Sequence, residues 1–251
     1  MKLGLKLWSI NTDFYYKEAK KLYNQGYFDY IELYIVPNTT ETIAKWKKLN
    51  IPFILHAPHF MHKINLANKE KFEYNKKIYE QVELFRQKLN AEYTIIHAGM
   101  NGTVGETIRQ LQIIKPQNFC IENKPLVPPL IPEYKCVGST INEIQNILNE
   151  LDCGFCLDIG HALCTANSLG IEPYAYLVDF QRLSPFMYHL SDGDIQSPLD
   201  QHLHFGEGNY DIEKIFSIIN PNSFISIETK KNSPVELADF ISDINFIKNR
   251  K

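Results

Sequence analysis

The stretch "GFCLDIGHA" (residues 154–162) decides the fold of this chain. It begins as a short apolar run of the kind that forms a buried strand, and it ends in Asp158 and, three residues later, His161. Seven other short, β-rich apolar runs occur along the chain: "KLGLKLWSI" (2–10), "DYIELYI" (29–35), "PFILHAP" (52–58), "YTIIHAG" (93–99), "NFCIENK" (118–124), "FMYHLSD" (186–192) and "SFISIET" (223–229).

Helical patterns lie between these runs. The longest covers residues 68–90, and Thr140 and Glu143 have capping-box spacing before another helix. Ser233, followed by proline, is predicted to open the last helix. Eight strands alternating with helices predict an α/β fold with a single (β/α)8 TIM-barrel domain over residues 1–251. A doubly wound open sheet stays as the alternative, because strand order cannot be read from a sequence.

Composition narrows the class of partner. Hydrophobic residues make up 44% of the chain, which is enough for a core, and the formal net charge is -3. This balance gives no global attraction to nucleic acid or to an anionic membrane, although a local basic patch is compatible with it. No apolar run has the length of a membrane span, and the N-terminus does not resemble a secretion signal. We therefore expect a cytoplasmic protein with no membrane partner.

The cysteines fit this reduced setting. There are five, an odd number, so they cannot all pair within the chain. Cys153 and Cys156 have the spacing of a redox motif, but that motif needs a loop leading into a helix. Here the pair falls in an apolar strand, which favours a structural role.

Metal-ligating residue types are concentrated at the ends of the predicted strands, where a TIM barrel places its active site. The third to eighth runs each end in an imidazole or a carboxylate: His56, His97, Glu122, Asp158, His189 and Glu228. Several carboxylates converging on one pocket would repel one another unless cations compensate. Imidazole and carboxylate together suit Zn²⁺, Mn²⁺ or Fe²⁺. The pattern therefore predicts a divalent-metal site.

A second concentration lies in the segment "LDQHLHFGEGN" (199–209), which holds Asp200, His202, His204 and Glu207 within eight positions. This segment is either a polar surface loop or part of the metal site. The segment "KPLVPPLIPEYK" (124–135) follows the fifth strand and predicts a rigid, extended loop; whether it acts as a lid cannot be read from the sequence.

The ordered motifs "LHAP", "IHAG", "IEN", "LDIGHA", "HLSD", "DQH", "FGEGN" and "SIET" resemble those of the xylose-isomerase-like TIM-barrel superfamily, most closely its endonuclease IV branch. The resemblance runs from about residue 50 to residue 229. It implies up to three zinc ions held by nine side chains. The implied sites are His56, His97 and Glu122 for the first ion; Asp158, His189, Glu228 and the second oxygen of a bridging Glu122 for the second; and His161, Asp200 and His202 for the third.

The activity implied by this resemblance is hydrolysis of a phosphoester. Glu122 and Glu228 would also orient or deprotonate the attacking water, and His59, Lys124 and His204 are candidate substrate contacts, His204 being equally suited to packing. The chain departs from endonuclease IV where DNA is handled, because "YIVPNTTETIAKW" (34–46) after the second strand contains no arginine. A small phosphoester or a sugar-like substrate therefore fits at least as well as DNA.

The same pocket supports a different reaction class. Sugar isomerases and epimerases of the superfamily hold a single divalent ion such as Mn²⁺, here through Glu122, Asp158, His189 and Glu228. The two glutamates would then move a proton between adjacent carbons. Asp200-x-His202 stands where such enzymes usually carry a basic residue, which favours an additional metal. A non-catalytic barrel that stores or senses metal is the third possibility.

Overall fold

Eight parallel strands close into a barrel, as the sequence predicts. A computed structural model describes residues 1–233 and 235–249. The strands in chain order are β1 Lys2–Trp8, β2 Tyr30–Tyr34, β3 Phe53–His56, β4 Thr94–His97, β5 Gly99–Met100, β6 Phe119–Glu122, β7 Cys136–Val137, β8 Gly154–Asp158, β9 Met187–Leu190 and β10 Phe224–Ile227. The barrel order is β1-β10-β9-β8-β6-β4-β3-β2, and β1 pairs with both β2 and β10, which excludes the open sheet.

Two of these strands lie outside the barrel. Strands β5 and β7 form an antiparallel pair, with Gly99 opposite Val137 and Met100 opposite Cys136. The sequence did not predict this pair, because two-residue strands carry no periodicity. It ties the end of the proline-rich loop (124–135) to the loop that follows β4.

Helices connect the barrel strands in the expected alternation. Within the described residues they are α1 Tyr16–Asn24, α2 Ile43–Lys47, α3 Phe72–Leu89, α4 Val104–Ile114, α5 Ile141–Glu150, α6 Ile159–Leu169, α7 Pro173–Gln181, α8 Ile212–Ile218 and α9 Ala238–Lys248. The capping box of Thr140 and Glu143 is present at the start of α5. Among the described helices, none is long and apolar enough to cross a membrane.

The prediction for the start of the last helix was wrong. The Ser233 hydroxyl accepts hydrogen bonds from the backbone N–H groups of Val235 and Glu236, so it closes a turn. Helix α9 begins only at Ala238. The proline that was expected at the first helical position, residue 234, lies outside the described residues.

The interior of the barrel has an apolar layer below a polar one. The apolar layer contains Tyr30, Ile54, Ile95, Cys120, Cys156 and Met187. Two residues further along the same strands stand Glu32, His56, His97, Glu122, Asp158 and His189. Because side chains alternate between the faces of a strand, these polar residues point inward directly above the apolar layer. Strand periodicity alone therefore places the candidate site at the carboxyl-terminal mouth.

Gly4 on β1 makes room for this packing. The ring of Tyr30 crosses the barrel so close to Gly4 that a Cβ there would lie 2.4 Å from it. The Tyr30 hydroxyl then meets the Ser226 hydroxyl at 2.9 Å, which satisfies both buried polar groups.

The cysteines are all free and mostly buried. Burial raises the pKa of both Cys153 and Cys156 to about 12, so neither thiol forms a thiolate readily. Cys156 lies within strand β8, and this arrangement agrees with the structural role inferred from the sequence.

Candidate metal centre

The nine predicted ligands lie together at the mouth of the barrel. Their donor atoms form three groups, within each of which the atoms lie within 4.8 Å of one another: His56, His97 and Glu122; Asp158, His189 and Glu228; His161, Asp200 and His202. Two further groups combine these residues differently or add Glu32: Glu122, Asp158 and His161; Glu32, His56 and Glu228. The structure thus brings together the residues that the resemblance assigned to three ions.

In the first group, one carboxylate oxygen serves two imidazoles. Glu122 Oε2 lies 3.1 Å from His56 Nε2 and 2.8 Å from His97 Nε2. His56 Nδ1 lies 2.8 Å from the carbonyl oxygen of Ala57, to which it can donate, so that Nε2 keeps its lone pair for a cation. Burial would raise the pKa of Glu122, but His97, Lys124 and His189 together hold that pKa well below its usual range.

The second group surrounds a buried imidazole nitrogen. His189 Nδ1 lies 2.8 Å from Glu228 Oε1, 3.6 Å from Glu122 Oε2 and 3.8 Å from Asp158 Oδ2, yet it has no well-formed hydrogen bond. Burial would lower the pKa of His189, but Cys156, Glu228 and Glu32 raise it well above its usual value. Three carboxylates facing one nitrogen need a positive charge, which either a proton or a divalent cation can supply.

The third group joins helix α6 to the loop after β9. Asp200 Oδ2 lies 2.6 Å from His202 Nε2 and 3.4 Å from His161 Nε2. His161 Nδ1 can donate to the carbonyl oxygen of Asn123 at 2.9 Å, which directs Nε2 toward Asp200. Its backbone N–H donates to the carboxylate of Asp158, which caps α6. Imidazole and carboxylate donors in this arrangement fit a zinc-type ion.

The two carboxylate oxygens of Glu122 face different ligand groups. Its Oε2 faces the first group and also His189 in the second, while Oε1 lies 3.2 Å from His161 Nδ1 and 3.6 Å from Lys124 Nζ. The carboxylate therefore stands among all three groups. Bridging of the first and second ions by its two oxygens stays a prediction.

One carboxylate shapes the loop that carries Asp200 and His202. Asp192, just after β9, accepts hydrogen bonds from the backbone N–H groups of Gly206, Gly208 and Tyr210 at 2.8, 3.2 and 3.1 Å. Gly206 has a φ of +90°, a conformation that favours glycine. At Gly208 a Cβ would lie 2.4 Å from Asp192 Oδ1. The "FGEG" turn is thus built around Asp192.

His204 anchors the same loop to helix α9 and to the segment that precedes it. Its Nδ1 lies 2.9 Å from Asp243 Oδ2 on α9, and its Nε2 lies 3.2 Å from the side-chain nitrogen of Asn232. Asp243 also accepts the backbone N–H of Phe205 at 3.1 Å. These contacts hold the loop in place, and the contact of His204 with substrate stays a prediction.

Comparison with known proteins identifies the family of this barrel. Residues 20–250 match the family described as xylose isomerase-like TIM barrel. The chain belongs to this family. A protein named probable endonuclease 4 from Halothermothrix orenii is 29% identical over 198 residues, which cover 69% of each protein.

Solved structures share the fold with this chain and differ from one another in the activities that their names state. A D-tagatose 3-epimerase-like protein superposes with a TM-score of 0.77 and 18% identity, covering 100% of this chain and 97% of its own. Endonuclease IV from Thermus thermophilus superposes with a TM-score of 0.70 and 16% identity, covering 100% and 98%. The named relatives are enzymes, and their activities span two reaction classes.

The predicted substrate contacts of this xylose isomerase-like barrel border the ligands. The His59 ring stacks on that of His97, with centroids 5.0 Å apart, and burial lowers the pKa of His59 well below its usual value. Lys124 Nζ lies 3.2 Å from His161 Nε2. A cleft of about 540 Å³ opens beside them and is walled by Pro128, Pro129 and Leu130 of the proline-rich loop.

The sequence reasoning missed two charged residues of the site, the buried Glu32 and the half-buried Lys6. Lys6 Nζ contacts the Glu228 carboxylate and lies 3.2 Å from Glu32 Oε1. Glu32 Oε2 in turn lies 3.0 Å from His189 Nε2. A signal existed, since each charge interrupts an apolar strand at a position whose side chain faces the barrel interior.

Proposed function

We propose that this chain is a divalent-metal-dependent hydrolase of phosphoesters, resembling endonuclease IV and using up to three zinc ions. The observation that carries the proposal is the gathering of nine donor residues into three groups around Glu122. The third group, His161, Asp200 and His202, is the decisive one, because a single-metal isomerase has no need of it. Clustered cations suit phosphoryl transfer, in which negative charge must be neutralised at several oxygens.

The protein's own residues would have distinct tasks in this reaction. Divalent ions held by the three groups would polarise the phosphoryl group and favour deprotonation of water near neutral pH. Glu122 is buried and Glu228 is half-buried beside this position. Burial would raise the pKa of both carboxyls, but neighbouring imidazole and ammonium groups hold each pKa well below its usual range, so either carboxylate could orient the water or accept its proton. Lys124 and His59 would contact substrate oxygens at the edge of the first and third groups.

A second candidate function is supported by the comparison with the D-tagatose 3-epimerase-like protein. In that case a sugar or sugar-phosphate would bind one divalent ion, such as Mn²⁺, through Glu122, Asp158, His189 and Glu228. The two glutamates would exchange a proton with adjacent carbons of the sugar. DNA is a possible substrate for the first candidate, but it is not favoured by the acidic net charge.

Metal stoichiometry separates these candidates. Protein purified without added metal or chelator would be analysed by elemental mass spectrometry, and then assayed on phosphomonoesters, phosphodiesters, abasic DNA and ketoses. We expect close to three zinc ions per chain together with phosphoester hydrolysis. One ion per chain, with ketose epimerisation and no hydrolysis, would replace the first candidate by the second. Tight metal binding without turnover of any substrate would favour a storage or sensing role.

A further inference from the structure

A second cleft, of about 470 Å³, opens beside the metal ligands toward the β1 side of the barrel mouth. Of the twelve residues that line it, only His202 and Glu228 belong to the nine predicted ligands. Apart from His59, proposed above as a substrate contact, the other lining residues have no role in either proposed reaction, so the cleft extends the candidate site beyond the metal ligands. Its volume is in the range that holds a small ligand.

One wall of this cleft presents a fixed aromatic face. Trp8, at the end of β1, is 39% exposed, and its ring packs against Tyr34 with a centroid distance of 5.2 Å. The Tyr34 hydroxyl is itself held, because it meets His62 Nδ1 at 2.8 Å and accepts the backbone N–H of His59 at 3.2 Å. An indole supported from behind and open in front is suited to stacking against a flat ring.

The floor and the opposite wall carry positive charge. Lys6 lies at the floor, and Lys230 and Lys231 follow strand β10 along the other side. The backbone N–H of Lys230 donates to the carbonyl oxygen of His202 at 3.1 Å. This hydrogen bond fixes the wall against the loop that carries Asp200 and His202. Lys6 is paired with Glu228 and Glu32, so the ammonium groups of Lys230 and Lys231 are the ones that favour an anionic ligand.

The neutral polar side chains of the cleft are already engaged with the protein. Asn11 Oδ1 accepts the backbone N–H of Trp8 at 2.7 Å, the Tyr15 hydroxyl donates to the carbonyl oxygen of Ser233, and the Thr229 hydroxyl donates to Asp243. A sugar ring needs many hydrogen-bond partners for its hydroxyl groups, and each of these three side chains already has a partner within the protein. Stacking and charge remain as the means of recognition.

We propose that this Trp8 cleft binds the nucleobase of a nucleotide-like phosphoester, with the base stacked on Trp8 and the phosphate directed toward the metal ligands. The inference rests on the proposed function in one respect, namely that the phosphoryl group lies at the three ligand groups. Beyond the proposed function, the inference names the group attached to the phosphate, which is a nucleoside or a similar group that carries a base.

Tryptophan fluorescence tests the proposal directly. The chain has two tryptophans, and Trp46 is fully buried with its indole N–H donated to the carbonyl oxygen of Ser9, so Trp8 is the one that a ligand can reach. The metal-loaded protein would be excited at its tryptophan band and titrated with adenosine 5′-monophosphate, and in parallel with ribose 5-phosphate. We expect saturable quenching by the nucleotide and at least about tenfold weaker binding of the sugar phosphate.

Variants complete the test. Trp8→Ala should weaken nucleotide binding about tenfold in calorimetry, whereas Trp8→Phe, which keeps an aromatic face, should bind nearly as the wild type does. Equal binding of ribose 5-phosphate, or unchanged binding by Trp8→Ala, would overturn the inference. The readout is binding, so it is separate from turnover. Quenching by the nucleotide without hydrolysis would support nucleobase binding by the Trp8 cleft and reject the proposed hydrolase. Hydrolysis without quenching would support the hydrolase and reject nucleobase binding by this cleft.

Discussion

His189 Nε2 lies 3.0 Å from Glu32 Oε2 inside the barrel, where both side chains are fully buried. The other nitrogen of the same ring faces Glu228, Glu122 and Asp158. Glu32 therefore holds the imidazole in the orientation that directs Nδ1 to the candidate metal ligands, as outer carboxylates commonly do in metal sites. Burial would raise the pKa of Glu32, but His189 and, to a lesser extent, Lys6 lower that pKa below its usual value.

Glu32→Gln should weaken divalent-metal binding without removing a ligand. The amide can still accept a hydrogen bond from His189, but it has lost the negative charge that makes the imidazole a stronger donor to a metal. We expect about tenfold weaker zinc affinity for Glu32→Gln and up to about a hundredfold for Glu32→Ala. The measurement is a competition titration of the zinc-free protein against a chromophoric chelator.

Glu106→Gln provides the matched control for this experiment. Glu106 pairs with Arg109 on the outer face of α4, so removing its charge should leave zinc affinity unchanged. If Glu32→Gln lowered the melting temperature but bound zinc like the wild type, Glu32 would be a structural residue and not a positioning one.

Much of the barrel follows from strand periodicity. Each barrel strand is predicted by a run of apolar residues, and the last residues of the third to eighth runs are predicted to be functional because the mouth of a TIM barrel collects them. On a given strand, the polar residue stands two positions after the residue of the apolar layer beneath it. Examples are His56 after Ile54 and Asp158 after Cys156. The ligand grouping needed the resemblance as well, since periodicity cannot say which side chains meet across the barrel.

The contacts among Lys6, Glu32 and His189 were not predicted, because they depend on how neighbouring strands are staggered. Lys6 and Glu32 are neighbours in the register of β1 and β2, and Glu32 reaches His189 across the barrel. Neither relationship can be derived from spacing along the chain. The direction of each Glu122 oxygen depends on several charges at once and is likewise unreadable from local pattern.

His202 and His204 lie two residues apart in one loop, and their replacement by alanine should have different effects. His202→Ala removes a ligand of the third group, so the zinc content should fall by about one per chain and phosphoester hydrolysis should be lost. His204→Ala removes the partner of the buried Asp243, so stability should fall by about 1–3 kcal/mol while zinc content stays unchanged. Elemental analysis and thermal unfolding of both variants make the comparison.

Full hydrolytic activity in His202→Ala would contradict the three-metal proposal, because hydrolysis would then not need the third group. For His204→Ala, a raised KM at unchanged stability would instead support the substrate contact predicted from the sequence. The two variants lie two residues apart in one loop, which makes each the control for general damage by the other.

Gly208→Ala should disturb the loop through a steric conflict. The added Cβ would lie 2.4 Å from both Asp192 Oδ1 and the carbonyl oxygen of Gly193, and the backbone cannot yield without breaking the Asp192 hydrogen bonds. We expect a loss of about 2–4 kcal/mol in unfolding free energy, with weaker binding of the third metal. Gly105→Ala in α4 is the control, since nothing lies within 4 Å of its added Cβ, and it should stabilise the protein by about 0.5–1 kcal/mol. Similar unfolding curves for the two variants would refute this account of the turn.

The metal-free protein should lose stability as pH rises from about 6.5 to about 9. Burial lowers the pKa of His161, but Asp158, Asp200 and Glu122 outweigh it and raise that pKa to about 9. A raised pKa means that the folded state binds the proton more tightly than the unfolded state, so the stabilisation is complete below about 6.5 and disappears on passing 9. The melting temperature in the presence of a chelator should therefore fall over this interval, and His161→Gln should make the slope shallower.

Zinc binding needs the neutral imidazole, so zinc affinity should rise over the same interval while the melting temperature of the zinc-loaded protein changes less. A melting temperature of the metal-free protein that rises toward pH 9 would mean that the carboxylates around His161 do not hold its proton.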